Sequence, residues 1–411
     1  MENLTGSKRV RFVLLLGTLT ALIPFTIDMY LPAFPSLAGV FNANASGIQL
    51  SLTACLLGLA IGQLVAGALS DAHGRRKPLI AALAVYAGAS VACIFAPNIA
   101  VFIALRFAQG FAAAAGLVIS RAIVRDVSSG AELTRLFALL MLVNNLVPLL
   151  APSIGGGILL FADWQAIFGT LSVLGVILLL ITIFRLPESL PEDKRVPSNL
   201  RATIGSFSTI MQDKKFTGYA LSQGLLIGGV FAYVAGTPFV YQGIYGVSPQ
   251  AFSILFGING IGLMAGSYVV GGMAHRISEK QFLEIALYTA MTASTVLLAV
   301  LLFHGPLWAV VVPIFFFLTS IGTVATAAFS LAMESQSRAA GSASALLGLL
   351  PFFLGAIAAP LVGIAGEGTG VPMGVIIFTM CFAALLSYYI FVKRPAATAE
   401  TERLNTELKR N

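Results

Sequence analysis

Residues 165–185 read QAIFGTLSVLGVILLLITIFR, and no charged side chain interrupts them before the terminal Arg185. At about 1.5 Å of helix rise per residue, a segment of this length crosses a hydrocarbon layer of about 30 Å. Charges, prolines and glycines bound eleven further apolar stretches of the same kind. The sequence therefore predicts twelve membrane-spanning helices. They cover residues 12–34, 47–69, 79–96, 99–120, 136–159, 165–185, 217–240, 251–273, 282–303, 307–332, 341–364 and 372–392.

The composition agrees with a chain that lies mostly inside a membrane. Hydrophobic residues make up 58% of the 411 residues and charged residues only 10%, whereas soluble domains have about 25% charged residues. Twelve spans of about 21 residues leave only short loops, with no room for a sizeable folded domain outside the bilayer. These figures exclude most soluble enzymes and DNA-binding proteins, and the expected fold class is an all-α membrane protein.

Basic residues lie on one side of the predicted spans. With the N-terminus placed in the cytoplasm, 23 of the 24 lysines and arginines fall on the inner side, and the outer loops have none. Cytoplasmic loops of membrane proteins carry such an excess of positive charge. We therefore expect a multi-pass membrane protein with both termini in the cytoplasm. The net charge of +7 then sets orientation, and no nucleic-acid partner is expected.

The longest hydrophilic stretch, residues 187–215, separates six predicted spans from six. The two halves echo each other, because Pro152 and Pro360, like Gly155 and Gly363, are 208 residues apart. Repeats of this kind are typical of secondary transporters. The sequence predicts four parts. They are an N-terminal six-helix bundle at 1–186, a cytoplasmic linker at 187–215, a C-terminal six-helix bundle at 216–394 and a cytoplasmic tail at 395–411.

The loop after the second span, residues 67–79, reads GALSDAHGRRKPL. It resembles the signature loop of the major facilitator superfamily, which implies two pseudo-symmetric six-helix bundles. Gly67 allows helices to approach closely, Gly74 permits a tight turn, and Asp71 can meet a helix N-terminus or a basic partner. Such contacts would close the cytoplasmic side in one state and break in the other. The predicted cytoplasmic gate contains Gly67, Asp71, Gly74, Arg75, Arg76, Arg125 and Asp126.

The fourth span contains RFAQG at residues 106–110, which is similar to a second signature of the superfamily. Arg106 is the one cation at membrane depth, where a charge costs at least about 2.5 kcal/mol, and Gln109 shares its helix face. Asp28 is the one carboxylate well inside a predicted span, at a similar depth. We expect Asp28 and Arg106 to interact, directly or through Gln109 or water, and to couple substrate to protons. A static buried pair is the alternative.

The fifth span reads NNLVPLLAPSIGGG at residues 144–157 and resembles the proline-glycine signature of the superfamily's antiporters. Pro148 and Pro152 remove helix hydrogen bonds, whereas Gly155 and Gly156 allow tight packing. Both properties suit a helix that bends or packs closely between states. A merely kinked packing helix is the alternative.

Three further segments carry a narrower resemblance. They are residues 27–35 in the first span, 124–126 after the fourth and 164–168 at the start of the sixth. These segments look like the bicyclomycin/chloramphenicol-resistance branch of the drug:proton antiporters. The resemblance implies multidrug efflux across the bacterial inner (plasma) membrane. Small amphiphilic drugs, such as bicyclomycin and chloramphenicol, would leave through alternating access while protons enter.

Aromatic and polar residues of both halves are available for a drug cavity, since such cavities are mostly apolar with few polar anchors. The candidates are Tyr30, Phe34, Asn144, Asn145, Tyr233, Phe239, Tyr241 and Phe256. Each aromatic ring taken alone could instead pack inside the protein or lie in the aromatic belt at the membrane interface.

We expect a transporter and not an enzyme, because no ATP-binding G-x-x-x-x-G-K-[ST] or zinc-binding H-E-x-x-H motif occurs. No cofactor or metal is expected, and the proton gradient would drive transport. The expected partners are small-molecule drugs, protons and the lipid bilayer, with the protein acting as a monomer. Two alternatives stay open: a proton-coupled transporter of a single metabolite, such as an amino acid or sugar, and a non-transporting receptor or scaffold.

Overall fold

The computed structural model describes residues 7–195, 205, 207–273, 276–336, 340–366 and 368–395. Within these residues there is no β-strand, and twelve helical stretches are long and apolar enough to cross a membrane. The predicted number of spans and the all-α membrane fold class are thereby confirmed. The long helices are α1 (Ser7–Asp28), α2 (Ala45–His73), α3 (Arg76–Ile94), α4 (Ile99–Val127), α5 (Gly130–Ile158), α6 (Trp164–Arg185), α7 (Lys214–Thr237), α8 (Pro249–Met273), α9 (Glu279–Leu302), α10 (Leu307–Ser335), α11 (Ala340–Leu361) and α12 (Val371–Tyr388).

The first span is interrupted, which the apolar pattern does not predict. Helix α1 ends at Asp28, a 3-10 turn covers Leu31–Ala33, and a short helix continues over Phe34–Val40. Pro32 and Pro35 lack the N–H groups that a continuous helix would need here. Asp28 therefore lies at the end of a helix, where the last carbonyl groups have no intrahelical donor.

Asparagine and serine caps begin several helices. The side chain of Asn44 accepts a hydrogen bond from the N–H of Gly47 at 2.9 Å, and that of Asn98 accepts one from Val101 at 3.0 Å. Ser278 starts α9 with a capping box. Such side chains satisfy N–H groups that a helix leaves free in its first turn.

Glycines bring α2 and α4 into backbone contact. A Cβ atom at Gly58 would lie 2.2 Å from the carbonyl oxygen of Phe107. In the second half, a Cβ atom at Gly266 of α8 would lie 1.9 Å from the carbonyl oxygen of Thr319 in α10. Gly58 and Gly266 are also 208 residues apart. Close helix packing through small residues thus recurs at the spacing of the sequence repeat.

The chain divides into two compact units. The first comprises Met1–Leu200, Phe231–Ile261 and Ala356–Met373, and the second comprises Arg201–Val230, Gly262–Gly355 and Gly374–Asn411. The first unit thus contains α1 to α6 together with parts of α7, α8, α11 and α12. Residues 196–204 and 206 of the predicted linker and residues 396–411 of the predicted tail lie outside the described part. The division into bundles at 1–186 and 216–394 stays a prediction.

A polar contact within the second unit joins α9 to the end of α12. The hydroxyl of Tyr388 donates a hydrogen bond to Oε1 of Glu284 at 2.9 Å. The Nζ atom of Lys393 lies 3.7 Å from the same oxygen. This contact satisfies a carboxylate near the beginning of a membrane-spanning helix.

Candidate functional site

Arg106 is fully buried in α4, and neutral groups surround its guanidinium. Nη2 donates a hydrogen bond to the carbonyl oxygen of Thr26 at 2.8 Å, and Nη1 donates one to Oε1 of Gln109. The guanidinium carbon lies 4.1 Å from the centre of the Tyr30 ring. Thr26 belongs to the last turn of α1, whose free carbonyls carry the negative end of the helix dipole. The end of α1 therefore supplies part of the countercharge for Arg106.

Asp28 is buried at the end of α1, with 6% of its surface exposed. Among the described residues, its carboxylate accepts no hydrogen bond and pairs with no cation. The direct contact that we expect between Asp28 and Arg106 is absent, and Gln109 does not bridge the two. The reason is that the Thr26 carbonyl, Gln109 and the Tyr30 ring already occupy the guanidinium.

Aromatic rings form a buried cluster beside Arg106 in the first unit. The ring of Tyr30 lies 4.9 Å from Phe34 and 5.8 Å from Phe168, measured between ring centres. Phe34 in turn lies 5.9 Å from Phe239, which belongs to the π-helix Pro238–Ile244 that follows α7. The structure thus brings together three of the predicted cavity residues, and it adds Phe168 from α6.

A second buried cluster combines tyrosines with a side-chain amide. Nδ2 of Asn259 in α8 donates a hydrogen bond to the hydroxyl of Tyr233 in α7 at 3.4 Å. The Tyr233 ring stacks on Phe256 with 5.2 Å between centres, and Tyr241 is fully buried.

Asn259 is absent from the residues that we single out in the sequence. The signal available for it is a lone amide inside the apolar run GINGIG at residues 257–262. A polar side chain at membrane depth is costly unless it is paired. Its position beside two tyrosines follows only from the packing of α7 against α8.

The glycines of α5 pack against backbone and side chains of other helices in the first unit. A Cβ atom at Gly155 would lie 1.8 Å from the carbonyl oxygen of Met29, and one at Gly156 would lie 2.5 Å from Oγ of Ser253. The Ser253 hydroxyl also donates a hydrogen bond to the carbonyl oxygen of Pro152 at 2.8 Å. These contacts hold α5 against the end of α1 and the beginning of α8.

The other predicted residues of α5 take less defined places. Pro148 and Pro152 both lie inside the helix. The side chain of Asn144 is half-buried and makes no hydrogen bond to the described residues. The side chain of Asn145 lies outside the described part of the structure.

Arg75 is the centre of an ionic network between α2, α3 and α4. Its Nη1 atom lies 2.5 Å from Oδ1 of Asp71, and its Nε atom lies 2.8 Å from Oδ2 of Asp126. Gly74 precedes it with a φ of 85°, which a residue with a Cβ atom rarely adopts. Burial lowers the pKa of Arg75, but the hydrogen bonds and charges of Asp126 and Asp71 outweigh burial and raise it.

Glu188, which follows α6, joins this network by capping α3. Its carboxylate accepts backbone hydrogen bonds from Arg75 at 2.7 Å, Arg76 at 3.1 Å, Ser189 at 3.1 Å and Leu190 at 3.0 Å. Burial raises the pKa of Glu188, but these four N–H groups lower it to below its usual 4.5. The sequence places Glu188 only in a linker, and no motif marks it as a cap.

Three residues of the predicted gate have other surroundings. Arg125 is exposed and forms no ion pair within the described ranges. Nη2 of Arg76 donates a hydrogen bond to the carbonyl oxygen of Ile183 at 2.5 Å. A Cβ atom at Gly67 would lie 3.6 Å from Val118, an ordinary contact, so the close approach of α2 to α4 lies at Gly58 instead.

A groove of about 540 Å³ lies between α9 and α10 in the second unit. Exposed apolar residues such as Ile285, Val296 and Phe316 line it. None of the predicted site residues contributes to the groove. An apolar surface of this kind is ordinary on the lipid-facing side of a membrane helix pair.

Sequence comparisons place the chain among transporters. Residues 16–360 match the family model of the Major Facilitator Superfamily. An uncharacterised MFS-type transporter of Bacillus subtilis, YdgK, is 51% identical over 395 residues, which cover 96% of this chain and 98% of that protein. A bicyclomycin resistance protein homologue of Haemophilus influenzae is 34% identical over 388 residues, covering 93% of this chain and 96% of the relative.

The fold agrees with these relatives. A bacterial homologue of the human lysosomal transporter Spinster, in an inward-facing and unoccupied conformation, aligns with a TM-score of 0.73. The alignment covers 95% of this chain and 98% of that one, at 13% sequence identity. This likeness shows a shared fold. The chain therefore belongs to the Major Facilitator Superfamily, whose members are transporters and not enzymes.

Proposed function

We propose that the protein exports small amphiphilic drugs across the bacterial plasma membrane in exchange for protons. The observation that carries the proposal is Asp28, a buried carboxylate with no partner among the described residues. Both terminal nitrogens of Arg106 donate to neutral groups, and Arg106 leaves Asp28 free for another ligand. The name of the Haemophilus influenzae relative, a bicyclomycin resistance protein homologue, supports drugs as the substrate class.

Asp28 can couple the two fluxes because it can be compensated in two ways. A charged carboxylate without a partner costs several kcal/mol in apolar surroundings, about 3–5 kcal/mol where measured. Either a proton removes the charge, or a bound substrate contributes a hydrogen-bond donor or a cation. Protonation of Asp28 weakens substrate binding, and bound substrate weakens protonation. By linkage, the proton and the substrate lower each other's affinity by the same factor. Exchange of one for the other follows.

Two sets of contacts in the first unit suit alternating access. The Arg75 network lies at the ends of α2 and α4 and would form the cytoplasmic gate. At the opposite end of α2, Nε2 of Gln49 donates a hydrogen bond to the carbonyl oxygen of Ala235 at 3.1 Å. Gln242 donates one to the carbonyl oxygen of Pro32 at 3.2 Å. These uncharged contacts, with those of Gly155, would form the outer gate.

The proposed orientation places the basic ends of the helices in the cytoplasm. The positive-inside rule supports it, because 23 of the 24 cations fall on that side. A C-terminal green fluorescent protein fusion is then fluorescent, and a C-terminal alkaline phosphatase fusion is inactive. The reverse pattern would exclude this orientation.

The transport test replaces Asp28 with Asn in proteoliposomes. We expect the wild type to move chloramphenicol against its gradient when a proton gradient is imposed, and D28N to lose this driven transport. Exchange of labelled for unlabelled drug without a proton gradient should persist in D28N, because the cavity keeps its shape. The matched control is D163N, since Asp163 is exposed and forms no side-chain cap.

Proton-driven transport by D28N at the wild-type rate would refute the coupling role of Asp28. The same assay separates the alternatives. A transporter of one metabolite would move one amino acid or sugar and no panel of chemically unrelated drugs. A receptor or scaffold would move none of the compounds.

A further inference from the structure

The cluster of Tyr233, Tyr241 and Asn259, here called the amide cluster, contains polar atoms that the protein does not satisfy. All three side chains are at least 99% buried. The hydroxyl of Tyr241 adjoins the Asn259 side chain, but neither this hydroxyl nor Oδ1 of Asn259 has a hydrogen-bond partner within 3.5 Å among the described residues. Almost all buried polar groups in proteins are paired, so two orphans in one cluster need an explanation.

The backbone around the amide cluster is also unusual. Tyr241 lies in the π-helix Pro238–Ile244, directly after α7. Short π-helical segments are rare in proteins, and they occur frequently at functional sites. Here the segment gives Tyr241 its place against Phe252, with 6.1 Å between ring centres. Two independent features, the unpaired atoms and the π-helix, therefore coincide.

The unpaired atoms define the chemistry of a ligand. Oδ1 of Asn259 can only accept a hydrogen bond, whereas the hydroxyl of Tyr241 can donate or accept one. A ligand group that both donates and accepts, such as a secondary amide or a hydroxyl, would satisfy both atoms. A lipophilic quaternary cation offers neither a donor nor an acceptor and would leave them unpaired.

We propose that the amide cluster binds the amide or hydroxyl group of an uncharged substrate. This inference rests on the proposed export function and narrows its substrate class. Tyr233 holds Asn259 in place through their hydrogen bond. Gln242, the residue after Tyr241, donates a hydrogen bond to the carbonyl oxygen of Pro32, four residues beyond Asp28. The cluster therefore packs against the segment that follows the carboxylate to which we assign proton coupling.

The experiment measures binding of two probes to purified protein in lipid nanodiscs by calorimetry. Chloramphenicol is uncharged and carries an amide and hydroxyl groups, whereas tetraphenylphosphonium is a cation without donors or acceptors. The variants are N259L, which keeps the approximate volume, and Y241F, which removes only the unpaired hydroxyl. The control is T20V, because Thr20 is buried but bonds only to its own helix, at Gly17.

We expect N259L to weaken chloramphenicol binding at least about fivefold, the loss expected for a hydrogen bond and a ligand group left unpaired. Y241F should weaken it by a smaller factor, and T20V should leave it unchanged. Tetraphenylphosphonium affinity should not respond to N259L or Y241F. The ligand-free melting temperature of Y241F should equal or exceed that of the wild type, since the variant removes an unsatisfied group.

Wild-type affinity for chloramphenicol in both N259L and Y241F would overturn the proposal and assign the cluster to a structural water. Failure of the wild type to bind chloramphenicol would also overturn it. A different result would refute the proposed function without refuting the amide cluster. Binding that depends on Asn259, together with unchanged proton-driven transport in D28N, would keep the amide cluster and refute the coupling role of Asp28.

Discussion

Arg106 keeps its charge inside the membrane without a carboxylate partner. Its guanidinium donates to the Thr26 carbonyl and to Gln109 and lies over the Tyr30 ring. A planar, forked donor can make these contacts at the same time, whereas a lysine ammonium is a compact and strongly hydrated charge. Both the shape and the charge of Arg106 are therefore needed.

Replacement of Arg106 by Lys should reduce drug export at least about tenfold, because the ammonium cannot hold the end of α1 and Gln109 while covering Tyr30. Transport in proteoliposomes measures the effect. R185K is the matched control, since Arg185 is exposed at the end of α6. Equal transport by R106K and R185K would show that charge alone suffices at position 106.

The sequence identifies the important charged residues but not their partners. Arg106 and Asp28 stand out because charges are rare in apolar spans. The partner of Arg106 is a backbone carbonyl, and every residue has one, so no side-chain pattern can reveal it. Asn259 is missed for a related reason, because its role in the site depends on its contacts with Tyr233 and Tyr241, which lie in other segments of the sequence.

Helix α5 can approach α1 only through glycine. A Cβ atom at Gly155 would overlap the carbonyl oxygen of Met29, whereas one at Gly157 would meet nothing within 4 Å. The proline-glycine pattern predicts close packing in this helix, but not which of three successive glycines makes the contact. That choice depends on how α5 is rotated against α1.

Replacement of Gly155 by Ala should lower the melting temperature, since overpacking typically costs about 1–3 kcal/mol. Export should fall as well, because the variant disfavours the conformation in which α5 meets α1. G157A is the control and should behave like the wild type in both measurements. If G155A matches G157A in melting temperature and export, the contact with Met29 is not needed.

Glu188 ties the segment after α6 to the start of α3. Because its pKa lies below the usual 4.5 in the folded protein, its charge stabilises the fold above that pH. The contribution is lost as the pH falls through the lowered pKa. We expect E188Q to destabilise the protein at neutral pH by about 1 kcal/mol, the typical value of a lost helix cap.

Thermal melting of E188Q and wild type at several pH values tests this cap. The difference should be largest at neutral pH and should shrink as the pH is lowered below 4.5, the usual pKa of glutamate. E192Q provides the control, because Glu192 is exposed and its pair with Arg195 lies on the surface. A difference for E188Q that does not change with pH would contradict an ionic cap.

At the scale of elements, hydropathy predicts all twelve spans because a bilayer demands long apolar helices. It does not predict the break of the first span after Asp28 or the π-helix after α7, because prolines and neighbouring helices determine them. The end of α1 at this break is important for the site. It leaves the carbonyl oxygen of Thr26 available to Arg106 and places Asp28 at a helix end.

At the scale of the whole molecule, the few charged residues have distinct positions. The chain has 41 charged residues among 411, and nearly all of its cations lie on the side that we assign to the cytoplasm. The two charged residues buried at the end of α1 and in α4, Asp28 and Arg106, are not paired with each other. In the proposed cycle, Arg106 keeps its contacts with Thr26, Gln109 and Tyr30 throughout, and only Asp28 changes its ligand.

The most direct measurement is proton release when drug binds. Chloramphenicol is added to purified protein in weakly buffered solution, and a pH-sensitive dye records the protons set free. The account predicts release from the wild type and from D163N, and none from D28N, even where D28N still binds the drug. Release from D28N equal to that of the wild type would contradict the assignment of proton coupling to Asp28.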